Sequence, residues 1–186
     1  TIDEVMVWNR TLTADEINML NGSRQVYNVA GNTTLFLDQP ETAYPDNLTY
    51  VMYRNQTQIS SSTELIGYWK FEQSNGSAAT NDSSGFGNTG TLTNMNLTGN
   101  STSGPIGGRF GNALQFDKVN DYVSIGDPAS GIYDFDGNQS FTLSAWFRKP
   151  QSSSSSTNTI FGKYDGNGYY LTVIDDTDRM DCFTRK

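Results

Sequence analysis

The sequence predicts an all-β, antiparallel protein, and three observations carry that reading. From Leu65 onward, short apolar segments recur with turn residues between them, the spacing of a sandwich or barrel. Two segments alternate clearly. In LIGYWKFE (65–72), Leu65, Gly67, Trp69 and Phe71 share one face and Ile66, Tyr68, Lys70 and Glu72 the other. In FTLSAWFRK (141–149), Phe141, Leu143, Ala145 and Phe147 fall inward, with Trp146 outward beside Thr142 and Ser144. Finally, TIFGKYDGNGYYLTVID (159–175) reads as a hairpin turning at Asp165-Gly166-Asn167-Gly168.

Taken in order, residues 2 to 8 form a strand candidate, because Val5, Val7 and Trp8 suit a pleated surface. A short helix follows. Thr13 with Glu16 three residues on is a capping box, Leu12 can staple onto Ile17, and Asn21-Gly22 supplies a left-handed stop. Residues 23–64 read as a connector: Thr34–Leu37 and Leu48–Tyr53 are short strand candidates interrupted by Pro40 and Pro45. GTLTN (90–94), ALQFD (113–117) and DYVSI (121–125) are short strands, and DRMDCFTRK (178–186) starts one more. QSSSSST (151–157) is a low-complexity loop.

Composition removes several chemistries. With no His and a single Cys, Cys182, the chain holds no Ser-His-Asp triad, no Cys-His dyad and no zinc finger. The lone Cys reads as a small apolar residue. A net charge of −8 argues against nucleic acid or an anionic membrane as partner. No apolar run approaches the roughly 20 residues needed to cross a bilayer. No leader is visible either, so an exported chain would take its signal from outside these residues.

Asn-x-Ser/Thr acceptors point to the compartment. They begin at Asn9, Asn21, Asn32, Asn47, Asn55, Asn75, Asn81, Asn96, Asn100 and Asn138. The 18 Asn and 40 Ser plus Thr would give roughly four by chance, so ten is an excess that predicts N-linked glycans on an extracellular or cell-surface protein.

The segments GYWKFE, NDSSGFGNTGTL, GRFGNALQFD, DYVSIGD, FTLSAWFRKP and TIFGKYDGNGYYLTV, in this order, resemble the first half of a laminin-G-like domain of the concanavalin A-like jelly-roll superfamily. IDEVMVWNRTLTADEI resembles the last strand and closing helix of such a domain. The resemblance implies a jelly-roll sandwich, incomplete in this chain, with one short closing helix. Residues 1–22 would close one repeat, 23–64 would be a glycosylated connector, and 65–186 would begin the next repeat of a tandem array. The rival arrangement is one permuted unit, in which residues 2–8 pair beside residues 65–72. Half a sandwich leaves an apolar sheet face wet, at about 25 cal/mol per Å², so neighbouring copies or flanking sequence are expected to cover it.

The same resemblance bears on the sites. Glycosidases on this fold alternate acids along one strand, but no Glu-x-Asp-x-x-Glu is present. Asp3 and Glu4 are adjacent and are expected on opposite faces, so no enzyme activity is expected. Related domains hold a structural Ca²⁺ at the rim, which points to Asp82 and Asn88 with Asp121 or Asp127. Asp134–Asn138 imitates an EF-hand start but has Gln139 at the sixth position and Ala145 at the twelfth. The acids Asp175, Asp176, Asp178 and Asp181 read as a solvated turn. Trp146, Tyr164, Tyr169 and Tyr170 are candidates for stacking on sugars, although most of the 23 aromatics must be core. The expected function is a non-enzymatic, glycosylated extracellular module with a structural or adhesive role, assembling with neighbouring copies into an array or filament. The alternative is a carbohydrate-binding, lectin-like module of a larger secreted protein.

Overall fold

The structure is a computed structural model that describes residues 1–20, 27–29, 32–34, 53–54, 57–58, 64–98, 104–135, 139–148, 157–165, 167–174 and 180–185. In chain order the elements are β1 (Ile2–Trp8), α1 (Ala14–Leu20), β2 (Tyr27–Val29), β3 (Asn32–Thr34), β4 (Tyr53–Arg54) and β5 (Thr57–Gln58). They continue with β6 (Leu65–Trp69), β7 (Ala79–Thr80), β8 (Gly90–Thr93), β9 (Gly104–Gly107) and β10 (Asn112–Gln115). The last are β11 (Tyr122–Ser124), β12 (Thr142–Phe147), β13 (Thr157–Asp165), β14 (Asn167–Ile174) and β15 (Met180–Arg185). Every described strand pair is antiparallel, so the chain is an all-β protein, with one short helix among the described residues. No helix among the described residues is long and apolar enough to cross a membrane.

The chain divides into two compact units, Thr1–Arg10 with Thr63–Lys186, and Thr11–Ser62. The second contains α1 and the two small hairpins β2–β3 and β4–β5. Its capping box forms as the sequence predicts. The Thr13 N–H donates to Glu16 Oε2 at 2.8 Å and the Glu16 N–H donates to Thr13 Oγ1 at 3.3 Å, while Ile17 stays half-exposed. The strand candidates at 34–37 and 48–53 and the Asn21-Gly22 stop lie outside the described residues, apart from Thr34 in β3 and Tyr53 in β4.

In the first unit, β1 is the central strand. One of its edges pairs with β12 and the other with β10 at its start and β6 at its end, with registers Ile2↔Leu114, Val5↔Trp69 and Val7↔Leu143. Residues 2–8 therefore do lie beside residues 65–69. The core gathers Val5, Val7, Ile66, Trp69, Phe71, Leu92, Met95, Leu114 and Tyr133. Ile66, which alternation places on the face opposite Trp69, is fully buried in the same core as Trp69, next to a register shift between Val7 and Trp8. From β12, Leu143 and Ala145 pack on the core as expected, while Phe147, at the strand end, is exposed.

An aromatic layer joins β13–β14 to this core. The Trp69 ring lies 6.2 Å from both Tyr133 and Phe161, and Tyr169 sits among Phe135, Phe141 and Phe161 at 4.8–6.3 Å. Gly67 makes room for it, since a Cβ there would meet the Trp69 ring at 2.5 Å. The hairpin β13–β14 closes with Asp165 opposite Asn167. The strand β9, whose Gly-Pro-Ile-Gly sequence reads as a loop, was not anticipated. It sits at the sheet edge, where a Pro without an N–H is tolerated.

Candidate functional site

The site begins with a bulge in β1. Between Asp3 and Met6 the register against β12 shifts, and Glu4 adopts φ +50°, in the left-handed region. The inserted residue resets the alternation. Ile2, Val5 and Val7 pack with the core, where strict alternation would have paired Ile2 with Glu4 and Met6. The two acids are thus brought under each other's influence instead of being split across the sheet, and the expectation of opposite faces fails because it assumed an unbroken strand. Both are buried, Asp3 to 2 % and Glu4 to 8 % exposure.

Asp3 Oδ2 accepts the Arg109 N–H at 2.8 Å and the Phe110 N–H at 3.1 Å, tying β1 to the β9–β10 turn. That turn approaches closely because residue 108 is glycine: a Cβ there would meet Asp3 Oδ2 at 2.5 Å. Asp3 Oδ1 is buried without a hydrogen-bond partner among the described residues. Burial raises the Asp3 pKa, with the Phe110, Arg109 and Glu4 amides opposing it. Glu4 Oε2 accepts a short hydrogen bond from the Tyr68 hydroxyl. Burial pushes the Glu4 carboxyl up to about 7, against the lowering effect of that hydrogen bond, and the charge of Asp3 adds to the rise. The Tyr68 hydroxyl is raised far above its ordinary value, by burial first and then by Glu4, and so keeps its proton as donor.

Asp3 also lines a groove of about 240 Å³, walled by Gly107, Gly108, Arg109, Trp146 and Arg148. Trp146 is opposite Asp3 in the β1–β12 register, which is why an outward ring on β12 reaches an acid on β1. The Arg109 guanidinium lies 5.1 Å from the Trp146 ring centroid, and Phe110 meets Trp146 edge-on at 6.0 Å. The groove therefore offers an indole and a cationic wall beside a buried acid. Of the groove residues, only Trp146 was singled out as a binding residue from sequence. Arg109 lies more than a hundred residues from Asp3 in the chain, and no local pattern announces that meeting.

The other predicted residues fall elsewhere. Tyr169 is 2 % exposed and its hydroxyl donates to Tyr133 O at 3.1 Å. A ring enclosed by Phe135, Phe141 and Phe161 belongs to the core and presents no face to a sugar. Tyr170 is half-buried and stacks on Phe183 at 4.9 Å, and the Tyr164 side chain lies outside the described residues.

Asp82 and Asn88 do share a loop, but as a turn closed on itself. Asp82 Oδ1 accepts the Tyr68 and Ser84 N–H groups at 3.0 and 2.8 Å, and Oδ2 accepts the Asn88 N–H at 3.0 Å. Asn88 O accepts the Trp69 Nε1–H at 2.8 Å and its side chain donates to Tyr133 at 3.0 Å, so the loop braces the core. Asp121 instead accepts the Asp117 N–H at 2.8 Å in a different turn. Asp127 and Asp134 both pair with Lys163. No group of three or more metal-ligating acids or thiols gathers among the described residues. Asp175, Asp176, Asp178 and Asp136–Asn138 lie outside those residues.

Four glycosylation acceptors have described side chains, Asn9, Asn75, Asn81 and Asn96, and all four are exposed. The Asn75 and Asn96 turns adjoin, with the Gly76 N–H donating to Leu97 O at 2.7 Å, and Asn96 Oδ1 accepts the Thr98 hydroxyl at 2.6 Å. Asn21, Asn47, Asn55, Asn100 and Asn138 lie outside the described residues, and of Asn32 only the backbone is described. Expressed through a eukaryotic secretory pathway, the chain is expected to lose mass on treatment with an N-glycosidase, and Asn96→Gln to remove one glycan increment. An unchanged mass in both preparations would refute glycosylation at that turn.

The sheet β13–β14–β15 ends on β15, whose second edge pairs with no described strand. On the face where Tyr169 and Val173 are buried, β15 presents Met180 opposite Val173 and Cys182 opposite Leu171, and both are exposed, Met180 to 51 %.

No family model matches this chain, and neither does any curated protein or solved structure.

Proposed function

We propose that the chain is a non-enzymatic, glycosylated extracellular module of laminin-G-like jelly-roll type, and that its Asp3–Arg109–Trp146 groove binds carbohydrate. The supporting observation is the groove itself: an indole for the apolar face of a sugar, flanked by a guanidinium, with Asp3 in its lining. The non-enzymatic reading is supported by the same acids. Glycoside hydrolysis needs two carboxyl groups flanking one bond, whereas of Asp3 and Glu4 only Asp3 lines the groove, and its Oδ2 already serves two amides. No observation favours a calcium site at Asp82, whose oxygens serve backbone amides.

The test is binding to an array of glycans by wild type and by Trp146→Ala, with circular dichroism of both to establish folding. A glycan bound by wild type should lose at least about tenfold in affinity in the variant, as a buried aromatic anchor does. Binding that survives the substitution, or no binding to any glycan, would remove this reading.

A second reading is assembly with copies of the same chain into an array or filament, for which the second edge of β15, paired with no described strand, leaves room. The two readings use different surfaces and are compatible.

A further inference from the structure

We propose that the groove selects an acidic sugar: one residue bearing a carboxylate or a sulfate ester, carried on an otherwise neutral glycan, with its anionic group received by Arg109 and Arg148. The proposal rests on the carbohydrate reading of the groove and names the class of its ligand. Both arginines line the groove beside Trp146. In a chain with 20 acids and 12 bases, a cation is expected to find an acid nearby, as Arg10 does in Glu64 and Lys163 in Asp127 and Asp134. Arg109 and Arg148 differ. Neither guanidinium meets a carboxylate or a hydrogen-bond acceptor among the described residues. The groove's own acid does not take that place, because Asp3 is 2 % exposed and turns Oδ2 to the Arg109 and Phe110 amides.

The fold holds both cations at the groove. Arg109 sits in the β9–β10 turn, which Asp3 ties down through the Arg109 N–H at 2.8 Å, and its guanidinium lies over the Phe110 ring at 5.7 Å and the Trp146 ring at 5.1 Å. Contact with ring faces engages the guanidinium's charge and leaves its in-plane N–H groups for an acceptor. Arg148 follows β12 directly, two residues past Trp146, so alternation returns it to the Trp146 side, and its N–H donates to Thr1 O at 2.9 Å. A guanidinium fork matches the paired oxygens of an oxyanion, and such charge-assisted bonds are roughly twice as strong as those to a neutral hydroxyl. Two quantities limit the ligand to a single charge. The groove, about 240 Å³, is smaller than the roughly 300–1,000 Å³ of drug-sized sites and has room for one ring with its substituent. The net charge of −8 repels a polyanion as a whole, so an extended sulfated chain loses outside the groove what it gains inside.

The experiment is calorimetric titration of the full chain with matched oligosaccharides tipped by glucose, galactose or mannose, each in three forms: neutral, oxidised at C6 to the uronate, and sulfated at C6. A heparin fragment serves as the polyanion. Wild type should bind a charged member of at least one set at least about tenfold more tightly than its neutral counterpart, and added salt should shrink that preference. Whether the uronate or the sulfate ester is preferred identifies the source of the charge. Arg109→Gln and Arg148→Gln, with circular dichroism of each, should bring the charged and neutral members toward parity, whereas Trp146→Ala should weaken both. Equal binding of charged and neutral members overturns this inference and spares the carbohydrate reading; no binding to any of these or to the glycan array removes both. A preference that both glutamine variants retain, or heparin bound more tightly than every singly charged sugar, also overturns it.

Discussion

Between about pH 4.5 and about pH 7 the folded chain is expected to lose stability as the pH rises, by roughly 2–3 kcal/mol through Glu4 alone. In the fold the Glu4 carboxyl titrates at about 7, whereas in the unfolded chain it returns to its ordinary value near 4.5. Across that window the native state holds a proton that the unfolded state has released. The stabilisation is complete below the lower value and gone above the upper one. Asp3, also raised by burial, acts in the same direction. Its charge is one reason Glu4 resists ionisation, and Glu72 adds to it while Lys70 opposes it. Glu4→Gln keeps an acceptor for the Tyr68 hydroxyl and removes the titration. Urea unfolding midpoints at both ends of the window should therefore show most of the slope gone and the variant more stable than wild type at neutral pH. A variant that retains the full slope would mean that Glu4 ionises normally and that the bulge does not bury it.

Trp69→Ala is expected to cost about 3–5 kcal/mol, enough to lower the melting temperature by roughly 10 °C or more. Trp69 is 1 % exposed, covers Gly67, and touches the rings of Tyr133 and Phe161, so it joins β6 to both the β11–β12 connection and β13. Removing it opens a cavity between those elements and leaves Asn88 O without the indole donor. Trp69→Phe separates the two contributions: it keeps most of the packing and loses the 2.8 Å hydrogen bond, at about 1 kcal/mol. Differential scanning calorimetry of the three proteins measures both steps. If the alanine variant lost less than the phenylalanine variant's expected 1 kcal/mol, the aromatic layer would not be what holds β13–β14 to the core.

The strands were legible wherever period-two alternation or turn chemistry was strong. Residues 2–8, 65–69 and 142–147 lie in β-structure as their patterns predict, and the hairpin expected over 159–175 forms from β13 (Thr157–Asp165) and β14 (Asn167–Ile174). The capping box at Thr13 and Glu16 was likewise readable, because both of its hydrogen bonds span only three residues. The site was legible in one residue, Trp146, placed outward by alternation on β12. The rest was hidden for identifiable reasons. Tyr169 carries the same chemical signature as a surface-stacking tyrosine, and only its neighbours Phe135, Phe141 and Phe161 make it core. Asp82 and Asn88 look like ion ligands in sequence, but their oxygens serve the turn and the Trp69 indole. β9 hides behind a Gly-Pro pair that only an edge position permits.

Antiparallel β-structure, the absence of histidine chemistry, the acidic charge and the dense glycosylation acceptors are local or additive properties, and the amino-acid order by itself determined them. The bulge at Glu4, the pairing of Asp3 with a turn more than a hundred residues away, and the burial of Tyr169 were decided by the tertiary structure alone. The physical reason is that register, burial and desolvation depend on which distant strands meet. One inserted residue in β1 turns two acids that local alternation separates into neighbours, one of them lining a groove and both of them resisting charge.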